Sequence, residues 1–125
     1  MKRDSPKKTG TQNGLCLVWV YVPKQWAEEV KTAAFAAGAG RIGAYSACSW
    51  ETEGNGQFYP MPGSTPFLGS VGTLETTPEL RIEFVCPRHD VKMVLQSIVN
   101  AHPYEEPAYG AVPFFTLADF RGGRG

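Results

Sequence analysis

Cysteine is scarce: Cys16, Cys48 and Cys86 are the only three in 125 residues, and no two form a CxxC pair. An odd, widely spaced set argues against a disulfide framework and for a reducing, cytoplasmic setting. Histidine is scarcer still, with His89 and His102 in unrelated contexts, which argues against a structural zinc site made by one chain. There is no surplus of either charge, 12 basic against 12 acidic side chains, so no overall field draws the chain to nucleic acid or an acidic membrane. The aromatics do not interleave with a basic patch, which argues against base stacking. No apolar run approaches membrane-spanning length, and the first residues lack the apolar core of a secretory signal.

What is there fits one domain with a modest core, at 42% hydrophobic content. Residues 1–14 carry Lys2, Arg3, Lys7 and Lys8 without any apolar pattern and read as a disordered basic tail. Residues 119–125 read as a flexible tail, leaving 15–118 as the folded domain. Residues 15–22, LCLVWVYV, form a continuous apolar run with the β-branched and aromatic content of a strand buried on both faces. Over 24–37, Trp26, Val30, Ala33, Ala34 and Ala37 fall on one helical stripe, closed by Gly38. A weak strand over 45–53 follows, then a Gly- and Pro-rich hairpin loop, 54–72, with strand pieces near 57–59 and 71–75. Residues 80–86 alternate cleanly, with Leu80, Ile82 and Phe84 inward and Arg81 and Glu83 outward. A second helix is predicted over 88–101, stopped by His102-Pro103, and a last strand over 110–117 is confined to an edge by Pro113.

The order strand, helix, strand, strand, helix, strand is the α+β ferredoxin-like split βαβ pattern, an antiparallel sheet with two helices on one face. Two helices cover only one face, yet the first strand is apolar on both. An uncovered apolar face marks an interface, here self-association, unless the 54–72 loop folds back over it.

Two stretches invite a chemical reading. The glycine-rich segment 36–43 follows a helix and opens a strand, the reverse of a phosphate-binding turn, so it reads as a helix cap; Arg41 can bind an anion alone. The segment HPYEEPAY, 102–109, is the richer one, with prolines fixing its backbone at both ends. His102 with Glu105 has the donor chemistry for zinc, copper or manganese, completed by a neighbouring subunit. The adjacent Glu105 and Glu106 point opposite ways in an extended segment, so they do not chelate one ion together. The competing reading has His102 at the helix C-terminus, favoured by the macrodipole, and the glutamates in ion pairs. Cys48, placed mid-strand, is either a small buried filler or a thiolate ligand.

From residue 15 to about 115 the chain resembles the small YqfO-like proteins, which look like the domain inserted into the larger YbgI/YqfO dinuclear-metal-centre proteins. The resemblance rests on YVP at 21–23, FAAGAGRIGAYSACSW at 35–50, GQF at 56–58, PFLGSVG at 66–72, RIE at 81–83 and HPYEEPAY at 102–109. HPYEEP with the later Pro113 also resembles the CutA divalent-cation-tolerance proteins, more distantly. The resemblance implies a CutA/PII-like ferredoxin-like domain, a homotrimer whose sheets face the centre, with clefts between subunits. The metal pair of the larger proteins has no counterpart here, and the nucleotide-binding elements of PII proteins have no residue-level match. The function expected is a trimeric binding or regulatory module for a divalent cation or small ligand at an inter-subunit cleft. Its metal donors would be His102, Glu105 and Cys48, and its ligand or interface contacts Tyr104, Glu106, Tyr109 and Arg41. The alternatives are a small hydrolase or isomerase using His102 and Glu105 as acid and base, and a scaffold whose basic tail recruits a partner.

Overall fold

The computed structural model describes residues 14–121, so the basic stretch before Gly14 and residues 122–125 lie outside it. The apolar run forms β1 (Leu15–Pro23), and a 3-10 turn at Lys24–Trp26 leads into α1 (Ala27–Ala36). The hairpin β2 (Trp50–Phe58) and β3 (Glu75–Pro87) follows, then a second 3-10 turn, α2 (Val91–Ala101) and β4 (Tyr109–Phe114). The sheet order is β2-β3-β1-β4, antiparallel throughout, with β1 and β3 paired from Leu15 opposite Pro87 to Pro23 opposite Glu79. This is the ferredoxin-like arrangement expected from the element order.

The core lies between one sheet face and the two helices. Val18, Val20 and Val22 of β1 and Ile82 and Phe84 of β3 meet Val30 and Ala34 of α1 and Val94 and Ile98 of α2. Burying each of these larger aliphatic side chains contributes about 1.5–3 kcal/mol. Lys31 and Lys24 tie the helical layer to the edge strand through Glu51, 3.0 Å, and Glu53, 2.9 Å.

No described element covers the opposite face. By register it carries Leu15, Leu17 and Trp19 of β1, Val85 of β3, Val112 and Phe114 of β4 and Trp50 of β2. Trp50 is 62% exposed and Val112 45%. The loop between β2 and β3 does not cover it: Phe67 packs edge-on against Trp26 and also meets Tyr104, at one end of the sheet. On this face the Trp19 indole lies across the edge strand at Gly110, where a Cβ would come within 2.7 Å of the ring.

Two elements depart from expectation. The second strand begins at Trp50, five residues later than predicted, because the Gly40 N–H is held by the Val85 carbonyl at 2.9 Å and a tight turn pairs Ile42 with Tyr45. Ala47 then takes a left-handed φ of 57°, which no strand accommodates. The strand instead runs on through Gly54 and Gly56 to Phe58, absorbing most of the piece expected near 57–59, whereas of the piece expected near 71–75 only Glu75 is strand. The last strand ends at Phe114, since the Asp119 carboxylate accepts the Thr116 N–H at 2.8 Å and opens a short turn, α3 (Ala118–Arg121).

Candidate functional site

The stop signal His102-Pro103 gives His102 an extended backbone, φ −79° and ψ 138°, directly after α2. The imidazole folds inward and is only 7% exposed. Its Nδ1 accepts the Tyr104 backbone N–H at 3.1 Å, so Nε2 carries the proton and donates to the Tyr21 carbonyl at 2.7 Å. Burial holds its pKa below the usual histidine value, against the opposing pull of the Tyr21 carbonyl and the Glu79 carboxylate. Both ring nitrogens serve the chain corner. Neither retains a lone pair for an ion or a proton acceptor for a substrate.

That corner aims Tyr104 across the end of β1 at β3. Its hydroxyl donates to Glu79 Oε2 at 2.7 Å, and burial first, then this bond, pushes the phenol pKa up. Glu79 is 9% exposed. Its carboxylate lies against Gly56 on β2, where a Cβ would collide with it. Phe58 and Phe67 flank the Tyr104 ring, at centroid distances of 5.7 and 6.5 Å. Glu105 anchors the β2–β3 connection, with Oε1 accepting the Thr65 N–H at 2.9 Å.

These groups enclose a cleft of about 500 Å³ between the β2–β3 connection and the HPYEEP corner. Its walls are aromatic, with Tyr21, Phe58, Phe67 and Tyr104, and its polar groups include Glu79, Glu105 and Glu106. Size and composition are those of a small-molecule pocket.

Of the residues singled out from sequence, Tyr104, Glu105 and Glu106 meet in this cleft, with His102 beside Tyr104 in a supporting role. Tyr109 begins the edge strand and Arg41 stands exposed in the turn after α1; neither lines the cleft. Cys48 is not mid-strand but in the preceding loop, its N–H on the Gly40 carbonyl at 2.9 Å. Gly40 is fastened to Val85, four positions along β3 from the Arg81 that pairs with Tyr21, so roughly 14 Å of strand separates Cys48 from the His102 corner. Among the described residues, no three His, Cys, Asp or Glu side chains are grouped to hold a metal ion.

Glu79, Tyr21, Phe58 and Phe67 are among the cleft residues that sequence reasoning passed over. Glu79 extends the outward row of Arg81 and Glu83 by one step and so reads as solvated. The available signal lay across the hairpin: Gly54 directly opposite and Gly56 diagonal to it, on the same face, leave room for the carboxylate to lie over β2.

No protein-family model matches the chain. Over 92 residues it is 51% identical to the "GTP cyclohydrolase 1 type 2 homolog" of Mycobacterium bovis, covering 73% of this chain and 24% of that protein. The solved structure of a Bacillus cereus protein related to NIF3 superposes with a TM-score of 0.71 at 41% identity, covering 83% of this chain and 26% of that one. The chain therefore spans about a quarter of the length of the curated relatives it matches, and is homologous to that segment of them. CutA1 from the psychrotrophic bacterium Shewanella sp. SIB1 superposes with a TM-score of 0.61 at 18% identity, covering 84% of this chain and 85% of that one. At that identity the likeness is one of fold, which is CutA-like.

Proposed function

We propose that this chain is a homotrimeric binding or regulatory module, acting in the cytoplasm, that takes a small ligand in the cleft beside Tyr104. The observation that carries the reading is the sheet face that no described element covers. Leu15, Leu17, Trp19, Val85, Val112 and Phe114 form a contiguous apolar surface on adjacent strands, of the kind that marks an association site. A second copy of the same face covers it without any further element. The trimeric number is taken from the CutA-like resemblance, and the YqfO-like resemblance makes the chain the counterpart of the domain inserted in the larger proteins.

The ligand is better read as a small organic molecule than as a divalent cation. A cation such as copper, zinc or manganese needs donors that His102 does not offer, so it would depend on carboxylates of a neighbouring subunit. Catalysis by His102 and Glu105 meets the same obstacle, because the imidazole is committed to backbone on both sides.

Size-exclusion chromatography with light scattering tests the association. The full chain should elute at three times the chain mass at micromolar concentration, and Leu17→Glu should dissociate it while the far-ultraviolet circular dichroism stays unchanged. A monomeric wild type would refute the assembly.

A further inference from the structure

We propose that the cleft selects organic cations, an ammonium or guanidinium group carried on an aromatic or apolar body. The inference rests on the reading of the cleft as a ligand site and adds the chemical class.

The argument starts from Glu79. A carboxylate more than nine-tenths buried is costly unless it is paired with a cation or saturated with donors. Its Oε2 has one neutral donor, the Tyr104 hydroxyl, and among the described residues Oε1 has no hydrogen-bond partner. Among the described residues no Lys, Arg or His lines the cleft, while Glu105 and Glu106 add two further acidic groups at its rim. Arg81, two positions along β3, is turned to other partners: it donates to Glu83 at 3.0 Å and to the Tyr21 hydroxyl at 2.8 Å, and stacks over Trp19. Among the described residues, then, no cation is paired with the Glu79 carboxylate.

The walls favour the same class. Phe58, Phe67 and Tyr104 line the cleft, and aromatic rings of this kind attract cations and stack on flat apolar bodies. The geometry repels phosphates and carboxylates: an anion entering here meets three carboxylates and no compensating basic side chain from the described residues.

Isothermal titration calorimetry on the full chain at low salt, with two probes sharing one indole body, is the test. Tryptamine, the cation, should bind saturably and at least about tenfold more tightly than indole-3-propionate, the anion. Glu79→Gln keeps the side-chain shape and an acceptor for Tyr104, and should erase most of that preference. If Glu79→Gln fails the circular-dichroism melt, the exposed Glu106→Gln is used instead and should reduce the preference by a smaller factor. Equal binding of the two probes, or an unchanged preference in the variant, overturns the cation selectivity and leaves the cleft a ligand site. Binding of neither probe overturns both readings of the cleft, while the light-scattering result on association stands by itself.

Discussion

Replacing His102 by glutamine isolates the electrostatic consequence of the buried corner. In the folded chain the imidazole is held neutral, with Nε2–H on the Tyr21 carbonyl and Nδ1 receiving the Tyr104 N–H. Adding a proton at Nδ1 removes that acceptor and sets two donors against each other in a site with little access to water. The folded pKa is accordingly depressed below 6.5, with burial the leading cause. Above pH 6.5 the side chain is neutral both folded and unfolded, and its contribution to stability is fully present. As pH falls below 6.5 the unfolded chain takes up a proton that the folded chain refuses, so stability is lost until the folded pKa is passed. Within that window the loss is at most about 1.4 kcal/mol per pH unit.

Urea unfolding followed by tryptophan fluorescence, at fixed protein concentration and at pH 7.5, 6.0 and 5.0, measures it. Carboxylates contribute their own pH slopes, so the informative quantity is the difference between wild type and His102→Gln, which does not titrate at this position. At pH 7.5 the variant should be less stable by about 1–3 kcal/mol, for imperfectly replaced buried hydrogen bonds. The gap should narrow steadily towards pH 5.0, with unchanged urea sensitivity m. A gap that stays constant, or widens in acid, would refute the neutral, doubly bonded imidazole.

Tyr104→Phe removes the one donor to the buried Glu79 carboxylate among the described residues and should lower stability by about 1–3 kcal/mol in a thermal melt, with no change in secondary structure. Gly110→Ala forces a methyl group against the Trp19 indole; about 1–3 kcal/mol of destabilisation is expected, together with an altered tryptophan emission. Cys86 is fully buried with its thiol pushed up to about 12, and Cys16 is buried opposite it. A disulfide-exchange reagent at pH 8 should therefore label Cys48 rapidly in the native protein and all three cysteines in denaturant; rapid labelling of more than one native thiol would contradict the packing.

The fold was legible wherever hydrophobic period and stop signals agreed. The alternation at 80–86, the stripe through Val94 and Ile98, and the His102-Pro103 stop each describe the local chain and its neighbouring layer at once. The second strand was not, because Gly54-Asn55-Gly56 has poor intrinsic strand preference. It is strand by virtue of the partner Thr77–Pro78–Glu79 facing it, a tertiary cause that local propensity does not carry. The site divides in the same way. The segment 102–109 stood out because two prolines and several functional groups are local facts. Glu79 did not, since its burial is made by Tyr104 from 25 residues away. His102 drew a metal-ligand reading from residue type alone; which atoms remain free depends on the Tyr21 carbonyl, 81 residues earlier.

The corner and the cleft are linked by more than proximity. Pro103 and Pro107 restrict the backbone on both sides of Tyr104, and the buried imidazole fixes the Tyr104 N–H from behind. One wall of the cleft is thus ordered by the fold itself before any ligand arrives. The opposite wall, the connection between β2 and β3, has no ladder of its own and is held by a few points, among them Thr65 on Glu105 and Phe67 against Trp26 and Tyr104. Glu105 therefore acts in two capacities: its carboxylate is part of the negative rim, and one of its oxygens is spent on keeping the aromatic wall in place. A cation drawn to the rim competes with the Thr65 N–H for that oxygen, whereas one seated on Glu79 leaves the wall undisturbed. The buried carboxylate, backed by the stiff side of the cleft, is the position at which charge is recognised at the least cost in order.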